Sequence, residues 1–249
     1  MSINYYETKV LENSEVTNGI YKLVIEEKNS VKPGQFYMIL PKTAVLGRPI
    51  SVCKTENDTV TFCYALIGKG TKEFANMKKG DTIKVFGPLG NGFDVENIIK
   101  ENKKIAVVGG GIGTAPMIKT AEDLKNADNS CYIHSFFGFR DDVYLEEEIK
   151  TYSDEYSCAT NTGSHGHKGF VTDLLNPEEF DIVLCCGPEI MMQKVVNMCK
   201  ESGTKVLISM EKHMACGVGA CLVCTCKTKG GNKRTCKDGP VFDGYEVEF

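Results

Sequence analysis

Residues 104–116, Lys104-Ile105-Ala106-Val107-Val108-Gly109-Gly110-Gly111-Ile112-Gly113-Thr114-Ala115-Pro116, decide how this chain is read. A short apolar run breaks into glycines, and a helical pattern follows with Met117, Ile118, Ala121 and Leu124 on one face. Strand, glycine turn and helix make a pyrophosphate-binding arrangement. Gly110, Gly111 and Gly113 let the backbone approach an anion, and the helix that opens at Thr114 points its N-terminus at it. Thr114 stands where the third glycine of G-x-G-x-x-G would be, so the usual dinucleotide fingerprint is not met. Pro116 suits a first helical turn.

Moving toward the C-terminus, strands are expected at 131–137, 156–159, 180–186 and 205–209, with helices at 143–149, from 169 to 175, and at 189–199. Alternating βα units imply a parallel sheet with ligands at the carboxyl ends of its strands. Cys186-Gly187-Pro188 ends such a strand. Cys186 there either lies beside a nicotinamide or is a buried thiol before a helix. Moving toward the N-terminus, β-rich runs at 20–26, 35–40, 49–54, 59–67 and 81–86 alternate with turns at Lys32-Pro33-Gly34, Glu56-Asn57-Asp58 and Lys79-Gly80-Asp81. Short strands at this spacing suggest an antiparallel β-barrel. Within it, Arg48-Pro49-Ile50-Ser51 offers a planar fork for phosphate oxygens and a hydroxyl for a bound ring. Gly68-Lys69-Gly70-Thr71 reads as a phosphate cradle or as a plain turn with Thr71 as cap. Tyr64 stacks on a ring or fills the barrel.

Cys216, Cys221, Cys224 and Cys236 are spaced C-x4-C-x2-C-x11-C in a glycine-rich run. That is the ligand spacing of plant-type [2Fe–2S] centres, although four thiolates also suit a structural Zn²⁺. Cys226 is a fifth thiol beside them. In an extended run it would share a side with Cys224. Five of the 12 cysteines fall within these 21 residues, which excludes an even disulfide framework. Cys53, Cys63, Cys131, Cys158, Cys185 and Cys199 lie in apolar stretches and read as small buried hydrophobes. The N-terminal residues carry no targeting pattern, and no apolar run approaches the roughly 18 residues of a membrane span, so a reducing cytoplasm is the expected location. The net charge of −4 comes without any basic stripe, which argues against nucleic acid. The four histidines show no metal spacing, and no Ser/His/Asp context appears.

Taken together, R-P-I-S, G-K-G-T, G-G-G-I-G-T-A-P and C-G-P resemble the ferredoxin–NADP⁺ reductase superfamily. M-A-C-G-V-G-A-C-L-V-C and the terminal C-K-D-G-P-V-F narrow the resemblance to the electron-transfer subunits of class 1B dihydroorotate dehydrogenases. It implies an FAD-binding barrel over 1–99, an NAD-binding α/β domain over 100–209 and a [2Fe–2S] domain over 210–249. It also implies a heterotetramer of two plus two with an FMN-containing catalytic subunit in pyrimidine synthesis. By similarity, Arg48, Pro49, Ile50, Ser51, Cys63, Tyr64, Ala65, Gly70 and Thr71 would hold FAD, and Cys216, Cys221, Cys224 and Cys236 the cluster. Two positions depart from the family pattern. Ala65 replaces an Arg, which leaves only backbone contacts to FAD there, and Asn161-Thr162 replace an acidic pair. Asp141 and Asp142 would repel a 2′-phosphate and favour NAD. The alternatives are a related NAD(P)H reductase module for ferredoxin or sulfide-type acceptors, and a non-enzymatic iron–sulfur redox sensor or zinc-stabilised module.

Overall fold

The computed structural model describes residues 5–249. The first six strands, β1 (Tyr6–Thr17), β2 (Ile20–Glu26), β3 (Phe36–Leu40), β4 (Arg48–Glu56), β5 (Thr59–Ala65) and β6 (Thr82–Leu89), close into a barrel of order β1-β2-β5-β4-β3-β6. All its ladders are antiparallel. Helix α1 (Lys69–Ala75) crosses from β5 to β6, and α2 (Val95–Glu101) leads out of the barrel. The expected strands are present. The 12-residue β1 is additional, and its polar sequence YETKVLENSEVT hides it. Only Val10 of that strand is fully buried, so its conformation comes from pairing with β2 and β6 rather than from an apolar face.

The side chains of β3 serve two cores because successive residues point to opposite faces. Tyr37 and Ile39 fill the barrel with Phe62, Tyr64 and Phe74. Phe36 and Met38 point outward and pack on Cys224 and Cys236. The neighbouring strands divide in the same way. Val52 and Tyr64 face inward, whereas Cys53 and Cys63 join the core of the second unit.

The second unit is a seven-stranded sheet of order β10-β9-β8-β7-β11-β12-β15. Its strands are β7 (Lys104–Gly110), β8 (Tyr132–Phe139), β9 (Glu155–Thr160), β10 (His167–Lys168), β11 (Ile182–Cys186) and β12 (Lys205–Ser209), with β15 (Val241–Asp243) on the edge. The first six run parallel, and β15 is antiparallel to β12. Helices α3 (Thr114–Ala127), α4 (Glu146–Thr151) and α5 (Glu189–Ser202) connect them. Two helix expectations are corrected. The helix at 169–175 is a single 3₁₀ turn at Val171–Asp173, since Asn176-Pro177 follows and the residue before proline resists the α conformation. Helix α4 starts at Glu146 because Leu145 takes a left-handed φ of 59°.

Residues 210–249 wrap the cysteine loop and a small sheet of β13 (Thr225–Thr228), β14 (Gly231–Arg234) and β16 (Val247–Glu248). This stretch is also tied to its neighbours. Asn91 bridges Pro240, Met210 N–H donates to the Pro240 carbonyl at 2.9 Å, and β15 completes the nucleotide sheet. C-K-D-G-P-V-F therefore links all three units.

Candidate functional site

Arg48 opens β4, and its Nη1 donates to the Leu46 carbonyl at 2.7 Å, leaving Nε and Nη2 without a protein acceptor among the described residues. Gly70 lies directly against it. A Cβ on Gly70 would sit 2.8 Å from Arg48 Nε. R-P-I-S and G-K-G-T, 20 positions apart in the sequence, thus converge on one guanidinium. Thr71 turns inward. Its hydroxyl accepts from the amides of Ile67 at 3.0 Å and Gly68 at 3.2 Å and donates to the Gly68 carbonyl, so it closes its own turn. Tyr64 is in the barrel, where its ring stacks on Tyr21 and its hydroxyl meets Asn13 at 3.1 Å. Its buried ring is not available for stacking on a cofactor. Ser51 pairs with Phe36, Pro49 with Met38 and Ile50 with Tyr37. Cys63 is buried against the second unit, Ala65 is half-buried at the end of β5, and β5 touches the Gly111–Gly113 turn.

That turn divides its glycines by task. A Cβ on Gly113 would meet Gly187 Cα at 2.6 Å, and one on Gly110 would meet Met191 Sδ at 2.4 Å and Pro188 at 2.9 Å. These two glycines allow G-G-G-I-G and C-G-P to touch. Gly111, with φ of 54°, has open space beside it. Thr114 is fully buried, and its hydroxyl closes the turn on the Gly111 carbonyl at 2.8 Å. Cys186 aligns with Gly109 and Ser209 at the strand ends and is buried. Its thiol reaches Glu211 Oε1 at 3.8 Å. Burial pushes both groups up from their usual pKa values. Glu211 keeps an exposed edge while protein surrounds most of its carboxyl. No spacing in the sequence pointed to Glu211. At the ends of β8 and β9, Thr162 donates to Asp141 Oδ1 at 2.7 Å and Ser164 to the Asp141 carbonyl at 3.1 Å.

The thiols of the C-terminal loop meet in two pairs, Cys216 with Cys221 and Cys224 with Cys236. Two thiolate pairs are the donor set of a two-iron centre. The backbone supports thiolates at the first pair. Burial works to raise Cys216, yet the amides of Val218 and Cys221, each 3.4 Å from its sulfur, outweigh that and pull it down to about 6. Burial and the Cys224 neighbour push Cys236 up to about 12. Gly217, at φ 72°, would place a Cβ 2.8 Å from Met38 Cγ, so the loop can rest on the barrel only through a glycine. The residues fit a [2Fe–2S] cluster. Cys226 lies outside the two pairs. Val223-Cys224 forms a turn rather than an extended run, and Cys226 enters β13 opposite Lys233, packed near Thr235.

Comparison with known proteins agrees with this geometry. Residues 211–248 match the family model described as the iron–sulfur cluster binding domain of dihydroorotate dehydrogenase B, and residues 107–197 match the oxidoreductase NAD-binding domain. The dihydroorotate dehydrogenase B (NAD(+)) electron transfer subunit of Clostridium perfringens is 57% identical over 249 residues, covering 100% of both chains. That of Listeria innocua is 39% identical over 98% of both. The structure of an NADH-dependent reduced ferredoxin-NADP oxidoreductase superimposes with a TM-score of 0.87 at 29% identity, covering 97% of this chain and 89% of the other. A ferredoxin-NADP⁺ reductase from Plasmodium falciparum, at 16% identity and a TM-score of 0.64, shares the fold.

Proposed function

This chain belongs to the family of dihydroorotate dehydrogenase B electron transfer subunits, and on that premise we propose that it conducts electrons from an FMN-containing, dihydroorotate-oxidising partner to NAD⁺ in pyrimidine synthesis. The observation that carries the reading is the placement of three sites around one barrel wall. The cysteine pairs rest on Phe36 and Met38 of β3, Met38 pairs with Pro49 of R-P-I-S, and β5 abuts the glycine turn of the nucleotide sheet.

In this reading, Cys216, Cys221, Cys224 and Cys236 hold the [2Fe–2S] cluster. Arg48, with the backbone from Pro49 to Ser51 and from Cys63 to Ala65 and the Gly70-Thr71 turn, holds FAD. When bound, FAD exchanges hydride with nicotinamide and single electrons with the cluster, which neither group can do for the other alone. The chain's own residues supply position and environment. Arg48 presents free N–H donors to a pyrophosphate. Phe36, Met38 and Phe86 exclude water from the Cys224–Cys236 side. The open Gly111 and the N-terminus of α3 receive the NAD pyrophosphate, with Gly110 and Gly113 holding that loop on C-G-P. Cys186 and Glu211 border the nicotinamide end. Asp141, fixed by Thr162, reads the adenosine ribose and replaces the acidic pair missing at Asn161-Thr162.

The partner assembly is a heterotetramer of two plus two. The location is cytoplasmic, supported by 12 unpaired cysteines; no helix among the described residues is long and apolar enough to cross a membrane. The test is purification under nitrogen. We expect FAD, two irons per chain and NADH oxidation with artificial acceptors, and no activity on dihydroorotate until the FMN subunit is added. Stoichiometric zinc without flavin, or dihydroorotate oxidation by the FMN-free chain, overturns the reading.

A further inference from the structure

Residues 212–237 contain Lys212, Lys227, Lys229, Lys233, Arg234 and Lys237 and no Asp or Glu, in a chain of net charge −4. Among the described residues, Arg234 is the one of these cations whose side chain is hydrogen-bonded into the cysteine loop. It pairs with Thr225 in the β13–β14 ladder, so it stands beside the neighbour of Cys224 and two residues before Cys236. Asp238 grips it from the far side. Nε donates to Oδ2 and Nη2 to Oδ1, both at 2.9 Å, and the Arg234 amide adds a third bond to Oδ2 at 2.8 Å. The remaining donor, Nη1, reaches the Gly219 carbonyl at 3.4 Å.

That carbonyl lies in the sequence between Val218 and Cys221, whose amides each donate to the Cys216 sulfur at 3.4 Å. The guanidinium therefore holds the loop segment whose backbone N–H groups face that sulfur. Gly219 has φ of 80°, and a Cβ on it would meet Lys237 Cδ at 2.9 Å and Arg234 Cδ at 3.3 Å. The loop and the cation are thus built against each other.

We propose that Arg234 is a positioning residue that sets the reduction potential of the cluster, with Asp238 as its counterweight. Reduction of a [2Fe–2S] cluster adds one electron and no proton, and no bond forms or breaks, so the site becomes more negative by one charge. A fixed cation stabilises the reduced form, and a fixed anion opposes it. Hydrogen bonds to the sulfurs act in the same direction as the cation. Arg234 stands between Asp238 and the loop, so the positive end of the ion pair is the end nearer the sulfurs.

The inference rests on the cluster reading above. Iron content of the wild-type protein reports on that reading, and the potentials of variants report on this one. The experiment is an anaerobic redox titration of the FAD- and cluster-loaded chain, followed by the electron paramagnetic resonance signal of the reduced cluster. Arg234→Gln is expected to keep two irons and to lower the midpoint, shifting the reduced-to-oxidised ratio by about tenfold at fixed solution potential, or ~59 mV for one electron. Arg234→Lys keeps the charge and should stay near wild type. Asp238→Asn removes the counter-charge and should shift the midpoint the other way. A merely structural clamp predicts the same sign for Arg234→Gln and Asp238→Asn. Shifts of the same sign, unchanged midpoints in both, or Arg234→Lys matching Arg234→Gln overturn the proposal. If Arg234→Gln sheds its iron, Asp238→Asn decides: a raised midpoint supports the proposal and an unmoved or lowered one overturns it.

Discussion

Arg48 lies on Gly70 with its Nε 2.8 Å from the position of the Cβ that Gly70 lacks. The two residues come from different elements, β4 and α1, and a single methyl would separate them. Gly70→Ala is therefore expected to displace Arg48 and weaken FAD binding by about tenfold, the scale of one charge-assisted hydrogen bond. Gly70 sits inside a helix, where alanine is the better helix former by about 0.5–1 kcal/mol. The flavin-free protein should then melt at the same temperature or slightly higher. Flavin titration by fluorescence, with a thermal melt of the apoprotein, checks both parts. A lower melting temperature would mean that Arg48 cannot move aside.

Cys226→Ser should retain two irons per chain, and Cys236→Ser should lose the cluster or leave it labile. Cys236 packs with Cys224 on the Phe36–Met38 face, and Cys226 lies outside the two pairs. Iron analysis and the reduced-state paramagnetic signal of the two variants decide this. Cluster loss in Cys226→Ser with Cys236→Ser intact would reverse the assignment.

Asp141→Asn should lower the preference for NADH over NADPH by about tenfold, because the carboxylate that repels a 2′-phosphate is gone. Thr162→Val removes the hydroxyl that holds Asp141 at 2.7 Å and should shift the same ratio less. The measurement is kcat/KM for both nucleotides with an artificial acceptor. An unchanged ratio in Asp141→Asn would place the ribose contact elsewhere.

Met38→Ala removes a fully buried side chain that supports Gly217 and the Cys224–Cys236 pair. A stability loss of about 2–5 kcal/mol is expected, as for other buried Met→Ala changes. Cluster loss in air should also become faster, because water reaches the second thiol pair. Denaturant melts and the decay of the visible absorbance test this variant.

Glu211 has its carboxyl pKa raised, first by burial. A raised acid binds its proton more tightly when folded, so the folded state is favoured by protonation. Stability is therefore lost as pH rises from the usual carboxylate range through the raised value. Glu211→Gln removes that loss. The variant should match wild type in acid and become the more stable of the two as pH approaches neutrality. Melting temperatures of both proteins across that range check the sign, and a gap that narrows with rising pH would contradict it.

The sequence alone determined the parts that depend on local chemistry. The strand–glycine–helix at 104–116, the spacing of Cys216, Cys221 and Cys224, and the short barrel strands each follow from backbone rules within a few residues. Strands carrying an apolar face were legible for the same reason. Tertiary structure decided what those rules cannot reach. β1 is a strand because two neighbours pair with it, and Tyr64 is core because its side of β5 faces the barrel. Gly110 and Gly113 serve loop contact with C-G-P, while Gly111 alone is left open. Arg234 and Glu211 had no signature in spacing, and C-K-D-G-P-V-F marked Asp238 without its role, because each takes that role from a partner brought close by folding: the Gly219 carbonyl, the Cys186 thiol and the Arg234 fork. Periodicity reports which face of an element is apolar. Which distant element covers that face is settled by packing, and there the function of each buried polar group is decided.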